Sequence, residues 1–377
     1  MRVLSLFDGM ACGMIAFRQA GIEVESYDAY EIDKYAIKTA SHNFPLIRHN
    51  GDVFTADFTK YKGVDFIIGG SPCTYWSIAQ KNNRETEASG LGWELFSQYT
   101  RAIKEAEPKY FIYENNYSMS AAIRESIDKA FGFSAVYINS ALVSAQIRKR
   151  LYWVGKRNAD GSYSKVDVKQ PKDRGQVLKD ILESGVVDRE KAYALVVTHQ
   201  GNARDYFKKR HAQIVYEFID YEPRKNSDIV INDNSIRCVL NDKKKSSAQE
   251  TVIKFTQSKA NAFVAAHTPK VIDKAENYKT ERIYKVENGF ITIKGKQYPI
   301  KLADGYYIIR KLTVTECKRL QTVPEWYDFP VSNAQAYKML GNGWTVEVIA
   351  HLITAALTNQ TIADKAEQIS IFDIIQV

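Results

Sequence analysis

Three short stretches of this chain carry side chains whose type and spacing suit covalent chemistry. The first is Gly69-Gly70-Ser71-Pro72-Cys73, directly after the apolar run Val64 to Ile68. A thiolate is a strong nucleophile, and a cysteine just beyond a strand of an open α/β sheet stands where such sheets bind ligands. A cysteine after a strand often serves only as a small hydrophobe, but the Gly-Gly-Ser-Pro lead builds a fixed loop that presents the thiol. The second stretch is Glu114-Asn115, after the strand Tyr110 to Tyr113. A glutamate there is either an acid or donor toward a ring nitrogen, or one half of an ion pair. The third is Gln146-Ile147-Arg148-Lys149-Arg150. Its alternate arginines point to one face of a strand, as a functional pair or as a basic edge.

A second set of residues suits a bound cofactor. The opening strand runs into Phe7-Asp8-Gly9-Met10-Ala11-Cys12-Gly13 and then a helical pattern. Glycines let a ligand approach the backbone, and the helix N-terminus favours an anion. The next strand ends in Glu31-Ile32, an acid for ribose hydroxyls beside an apolar wall for a base. Asp52 follows Gly51 at a third strand end, placed to accept from an adenine amino group. Each carboxylate could equally be a helix cap or a surface acid. The four cysteines, Cys12, Cys73, Cys238 and Cys317, form no CxxC pair, so neither a zinc site nor a disulfide framework is expected.

These residues need a scaffold. From Met1 to Arg150 the chain alternates short apolar runs with helical patterns, which predicts β-α-β units and a parallel sheet covered on both faces. Strands are expected at Arg2 to Phe7, Glu23 to Tyr30, Val64 to Ile68, Tyr110 to Tyr113, Ser134 to Asn139 and Arg150 to Val154. Helices are expected at Ile15 to Ala20, stopped by Gly21, and at Ala121 to Phe131, stopped by Gly132. A middle segment of mixed short strands and turns, Asn288-Gly289 and Asp304-Gly305 among them, reads as an inserted, smaller α+β domain. Helical pattern returns in LTVTECKRLQ and from Thr345 to Leu357.

The 377 residues, 45% hydrophobic, can bury a large core, as two domains or as one with a big insertion. There is no apolar run of membrane-spanning length and no basic-then-apolar leader, so the expectation is a soluble intracellular protein with no membrane partner. The net charge is +8. Residues 156 to 309 hold 29 Lys+Arg against 20 Asp+Glu, an excess of +9, and the rest of the chain carries −1. Such an excess fits either a polyanionic partner or a solvated lysine-rich face.

The ordered set FDGMACG, EID, GDV, GGSPC, ENN, QIRKR, RKLTVTECKRLQTVP and GNGWTVEV resembles the cytosine-C5 DNA methyltransferases. The resemblance implies a Rossmann-like, doubly wound, mostly parallel sheet, with a catalytic and cofactor domain at 1–155, a target-recognition domain at 156–306 and a returning segment at 307–377. It implies S-adenosylmethionine as cofactor, shaped by Phe7, Gly9 and Gly13, with Glu31 on the ribose, Ile32 and Asp52 at the adenine, and Leu95, Asn342 and Trp344 completing the site. It makes Cys73 the nucleophile and Glu114 the group on the N3 and N4 edge of cytosine. Arg148 and Arg150 become contacts to the base and its phosphates, supported by Gln146, and Arg310 the anchor of a domain junction. Double-stranded DNA is the expected partner, with Asn202, Arg204, Arg224 and Arg237 as candidate base readers and Lys243 to Lys245 on phosphates. No metal is expected. The expected setting is a monomer in the cytoplasm of a bacterial or phage-infected cell, paired with a cognate restriction endonuclease, orphan, or phage self-protecting.

Two departures from the family pattern stand out. Asn116 replaces the usual valine after Glu-Asn, and Ala11 and Cys12 stand where glycines are usual. The rival readings are an RNA (tRNA) cytosine methyltransferase, a catalytically silent DNA-binding regulator on the same fold, and a nicotinamide-dependent oxidoreductase. The Cys-Phe-Thr tripeptide of the tRNA-modifying branch is absent. Retention of Cys73, Glu114 and both arginines disfavours the regulator, and GGSPC and GNGWTVEV have no role in the oxidoreductase.

Overall fold

The computed structural model describes residues 1–78, 84–195, 214–219, 228–232, 235–241, 250–254, 280–293 and 295–358. The chain divides into two compact units. One comprises Met1–Val177, Lys191–Val197 and Val314–Val377, the other Leu178–Glu190 and Thr198–Thr313.

The first unit is built on a mixed sheet whose strands are β1 (Arg2–Leu6), β2 (Ser26–Tyr30), β3 (Arg48–His49), β4 (Phe66–Gly69), β5 (Tyr110–Asn116), β6 (Val136–Asn139), β8 (Lys149–Arg157) and β9 (Tyr163–Lys165). A short parallel pair, β7 (Gln146–Ile147) with β10 (Ala192–Tyr193), lies apart. The spatial order is β3-β2-β1-β4-β5-β8-β6, with β9 on β8. Pairings from β3 to β5 are parallel. This is the doubly wound α/β arrangement that the alternating pattern predicts, and its chain order reverses between β1 and β4, so ligands are expected there, beyond the strand carboxyl ends.

The sheet is not parallel throughout, which corrects the simplest reading of the stretch from Met1 to Arg150. β8 runs antiparallel to both β5 and β6. The link from β6 to β8 is too short for a crossover helix, so β8 must run back alongside β6, and its slot between β6 and β5 reverses it against both. The second strand starts at Ser26 rather than Glu23, and β5 runs on past Tyr113 to Asn116, which carries Glu114 into the ladder opposite Tyr152.

Helices α1 (Cys12–Gln19), α2 (Lys34–Asn43), α3 (Gly90–Ala106) and α4 (Ala121–Phe131) connect the strands. Local chemistry sets their ends. Asp33 caps α2 by accepting from Tyr35 N, Ser120 caps α4 by accepting from Ile123 N, and Gly132 ends α4 in the left-handed region at φ 80°. After the second unit come α5 (Val314–Leu320), α6 (Asn333–Asn342) and α7 (residues 346–358). β1, β4 and β5 are buried almost throughout, as strands covered on both faces must be. An aromatic cluster of Phe96, Tyr99, Phe111, Tyr113, Phe131 and Trp153 fixes the seat of β5.

In the second unit, β11 (Ile214–Ile219) pairs antiparallel with β18 (Gly305–Lys311), and β15 (Thr280–Glu287) pairs with the other edge of β18. β12 (Asp228–Asn232), β13 (Ser235–Asn241) and β14 (Glu250–Lys254) extend that sheet from β15. Asn288-Gly289, both with left-handed backbone, turns β15 into β16 (Phe290–Ile293). That strand pairs with β17 (Lys296–Pro299). The core of this unit holds Ile214, Tyr216, Val286, Ile291, Ile300 and Tyr307.

Candidate active site

A cleft of about 240 Å³ opens at the carboxyl ends of β1, β2, β4 and β5. Of the residues singled out in the sequence, Phe7, Gly9, Glu31, Cys73, Glu114, Arg148, Arg150, Asn342 and Trp344 line it together, although they span more than 300 positions of chain. Gly13, Ile32, Asp52 and Leu95 are not among its lining residues.

The cysteine loop is held by close packing at its glycines. A Cβ on Gly69 would fall 2.6 Å from the Leu6 carbonyl oxygen, and one on Gly70 would fall 2.7 Å from that of Glu114. Ser71 is buried and shares a 2.7 Å hydrogen bond with the Tyr113 hydroxyl. Cys73 then opens a single turn of 3-10 helix, Cys73–Tyr75, and is half-buried. Cys12 and Cys317 are buried, and burial pushes both thiols up to about 12, which keeps them protonated.

Glu114 is 9% exposed, and both carboxylate oxygens are engaged. Oε1 pairs with Arg150 Nε at 2.8 Å, and Oε2 accepts from Trp344 Nε1 at 3.0 Å. Glu114 is thus an ion-pair partner and also a cleft residue. Arg148 is 3% exposed and donates to the carbonyls of Gly341, at 3.2 Å, and Gly343, at 2.8 Å. Burial, and then the neighbouring Arg150 charge, lower its pKa to about 10, so it stays cationic at neutral pH. The Gln146 amide is also turned to the scaffold, donating to Leu320 O at 3.2 Å and accepting from Leu195 N at 3.0 Å.

Around the other end of the cleft, the turn before α1 uses left-handed backbone at Phe7 (φ 58°), Gly9 (φ 60°) and Ala11 (φ 61°). Ala11, which flanks the start of α1, provides no side-chain cap, which leaves the first N–H groups of the helix without a side-chain acceptor. The Glu31 carboxylate is fixed by three backbone N–H donors: Gly9 at 2.7 Å and Ile32 and Asp33 at 2.8 Å each. Ile32 is 75% exposed. Asp52 caps a 3-10 turn through Phe54 N at 3.0 Å, Leu95 packs against the core, and Asn342 is the last residue of α6. Gly13 serves packing between α1 and β4: a Cβ there would stand 2.1 Å from Ile68 Cδ1.

A family model described as C-5 cytosine-specific DNA methylase matches residues 1–358. The chain belongs to that family. It is similar to an orphan methyltransferase of Bacillus phage SPR, 25% identical with 93% of this chain and 95% of that one covered. It is also similar to a type II methyltransferase of Fusobacterium nucleatum, at 24% with 99% and 100% covered. An orphan methyltransferase of Bacillus phage rho11s is 29% identical, over 58% of this chain and 44% of that one. Among solved structures, a methyltransferase of Entamoeba histolytica superposes with a TM-score of 0.56 at 13% identity, covering 96% of this chain and 98% of that one, a likeness of fold.

For this cytosine methylase the departures now have surroundings. Ala11 occupies a left-handed position that glycine takes without strain, at a cost on the order of 1–2 kcal/mol for a residue with a Cβ. Cys12 packs its sulfur where a Cβ on Gly343 would stand 3.1 Å away. Asn116 donates to the Cys73 carbonyl at 3.3 Å. The sequence reading missed two charged features of the cleft. Asp33 and Lys338 pair at 2.7 Å on its wall, and Asp8, 7% exposed, accepts from Ser5 Oγ at 2.6 Å and Tyr27 hydroxyl at 2.7 Å. The Asp after Glu-Ile was a readable cap signal, whereas Lys338 lies 305 positions away and carried none.

In the second unit, Arg310 pairs with Glu217 at 3.0 Å and donates to Ser184 O at 2.7 Å. Asn202, Arg204, Arg224 and Lys243 to Lys245 lie outside the described residues, as does the side chain of Arg237.

Proposed function

We propose that this DNA cytosine methylase transfers a methyl group from S-adenosylmethionine to C5 of a cytosine flipped out of duplex DNA, through a covalent bond between Cys73 Sγ and C6. The single observation that carries the reading is the convergence of a half-exposed cysteine and a buried, doubly held glutamate in one cleft with a ribose-type carboxylate. The residues fit the cofactor. Glu31 is an acceptor already oriented for a diol, Ile32 offers an exposed apolar side chain for a base, and the uncapped start of α1 suits a carboxylate. When bound, the cofactor supplies the methyl group as an electrophile.

The rest is done by the chain. C5 of cytosine is weakly nucleophilic, so the Cys73 thiolate adds to C6 and pushes electron density to C5. Glu114 engages the N3 and N4 edge and stabilises charge there, with Arg150 and Trp344 fixing its carboxylate. After methyl transfer, loss of the C5 proton and departure of Cys73 restore the aromatic ring. The base edge is inaccessible inside a duplex, so flipping costs about a few kcal/mol, for which the +9 segment offers compensating phosphate contacts. Residues 156–306 serve as the target-recognition domain and set the sequence context. The setting is a monomer in a bacterial or phage-infected cytoplasm. Similarity to both orphan and type II enzymes leaves a cognate endonuclease as one arrangement beside the orphan and the phage self-protecting ones.

Bisulfite sequencing of DNA from cells expressing the chain tests this. Methylcytosine confined to one sequence context is expected, and its loss in Cys73→Ser with cofactor binding retained. Unmethylated DNA from the wild type, or full activity in Cys73→Ser, overturns the reading.

A further inference from the structure

Two consecutive amides at the end of β5 grip the backbone of the cysteine loop. Asn115 Nδ2 donates to the Ser71 carbonyl at 3.2 Å, and Asn116 Nδ2 donates to the Cys73 carbonyl at 3.3 Å. Pro72 between them has no N–H, so the loop lacks a backbone donor of its own at that point. Asn116 is 4% exposed and satisfied at its other end, where Oδ1 accepts from Ser118 Oγ at 2.9 Å. Ser118 continues the chain of contacts to the far side of the nucleophile. Its Oγ accepts from Ile78 N at 3.4 Å, and its carbonyl accepts from Arg84, at 2.6 Å, while Arg84 Nε returns to Trp76 O at 3.1 Å. The loop is therefore fastened before, at and after Cys73: the Cys73 carbonyl accepts from Trp76 N at 3.1 Å and Ser77 N at 2.9 Å within its own turn, and Asn116 is the side chain that ties that carbonyl to β5.

We propose that Asn116 is a positioning residue for Cys73, its side-chain amide fixing the nucleophile's peptide relative to Glu114 two residues earlier on the same strand. The proposal rests on Cys73 being the nucleophile. Valine, usual in the family at this position, is of similar size but donates no hydrogen bond, so this tether belongs to the present chain. Attack on C6 requires the sulfur at near-contact distance and in line, and a displacement of about 1 Å can cost up to roughly a hundredfold in rate.

The test uses the full-length chain, S-adenosylmethionine and plasmid DNA copied with 5-fluorocytosine in place of cytosine, whose fluorine cannot leave as a proton does. It compares wild type, Asn116→Val and Ser118→Ala. Adduct formation should slow about ten- to a hundredfold in Asn116→Val and by a smaller factor in Ser118→Ala. Cofactor affinity by calorimetry, DNA affinity and the melting transition should stay near those of wild type, so that the rate constant of adduct formation at saturating DNA falls without a matching rise in the DNA concentration needed for half of it. Wild-type adduct rates in both variants overturn the proposal while leaving the nucleophile assignment standing. Should Asn116→Val fail to melt cooperatively, the half-buried Ser118→Ala decides alone, and an unchanged rate there overturns it. No adduct with the wild type removes the assignment of Cys73 and this proposal with it.

Discussion

Trp344 Nε1 donates to Glu114 Oε2 at 3.0 Å, joining two residues 230 positions apart across the floor of one cleft. By resemblance the tryptophan belongs to the cofactor and the glutamate to the base. In the structure one residue serves the wall of the cleft and the orientation of the other. Trp344→Phe keeps the aromatic wall and removes the donor, so methylation should fall about tenfold while cofactor affinity changes little. Single-turnover methylation and calorimetry on the same preparation check this, and parallel loss of both quantities would return Trp344 to a purely cofactor role.

Glu31 accepts three backbone hydrogen bonds that pin the turn before α1 to the end of β2. Glu31→Ala removes the acceptor proposed for a ribose diol and on that proposal should weaken S-adenosylmethionine binding by about 1.5–3 kcal/mol, roughly one to two decades. DNA binding without cofactor should change far less. Unaltered cofactor affinity in titration calorimetry would remove Glu31 from the site.

Gly13 separates a packing role from a cofactor role. Its missing Cβ leaves room for Ile68 Cδ1, so Gly13→Ala should destabilise the fold by about 1–3 kcal/mol through overpacking. Adding Ile68→Val, which removes that terminal methyl, should recover part of the loss, because the Tyr27 hydroxyl, 2.7 Å from the same Cβ, stays in place. Denaturant midpoints of the single and double variants give the answer, and a single variant as stable as the wild type would mean that the helix shifts freely.

Burial pushes the Asp8 carboxyl up to about 6, with Ser5 and Tyr27 opposing that shift and Glu31 adding to it. Its Oδ2 is buried without a partner. An acid whose folded pKa lies above its unfolded value near 3.8 binds extra protons in the native state between those two values. Its contribution is therefore fully present below about pH 4, is lost as pH rises to about 6, and at neutrality amounts to a cost on the order of 3 kcal/mol. Asp8→Asn should flatten the pH dependence of stability across that window. Denaturant melts at several pH values compare the two proteins, and parallel pH profiles would contradict the buried-acid account.

Sequence alone determined the things that local chemistry and periodicity control. Alternating apolar runs set the strands of the doubly wound sheet, Gly21 and Gly132 marked helix ends, and motif order pointed to the family and to Cys73, Glu114, Arg148 and Arg150. Strand direction and side-chain partners were decided only in three dimensions. The reversal of β8 depends on how short its link to β6 is and which neighbours it finds, and no residue type encodes that. Arg148 lines the cleft, and its guanidinium also holds the carbonyls of Gly341 and Gly343, nearly 200 positions away, a partnership the string QIRKR does not show. Asp52, placed at the adenine by resemblance, caps a turn, which its position after Gly51 also allowed. Asn116 reads as a neutral departure from a motif until β5 delivers its amide to the Cys73 carbonyl. A buried donor must find an acceptor wherever the folded chain brings one, and that choice is made by packing rather than by neighbours in sequence.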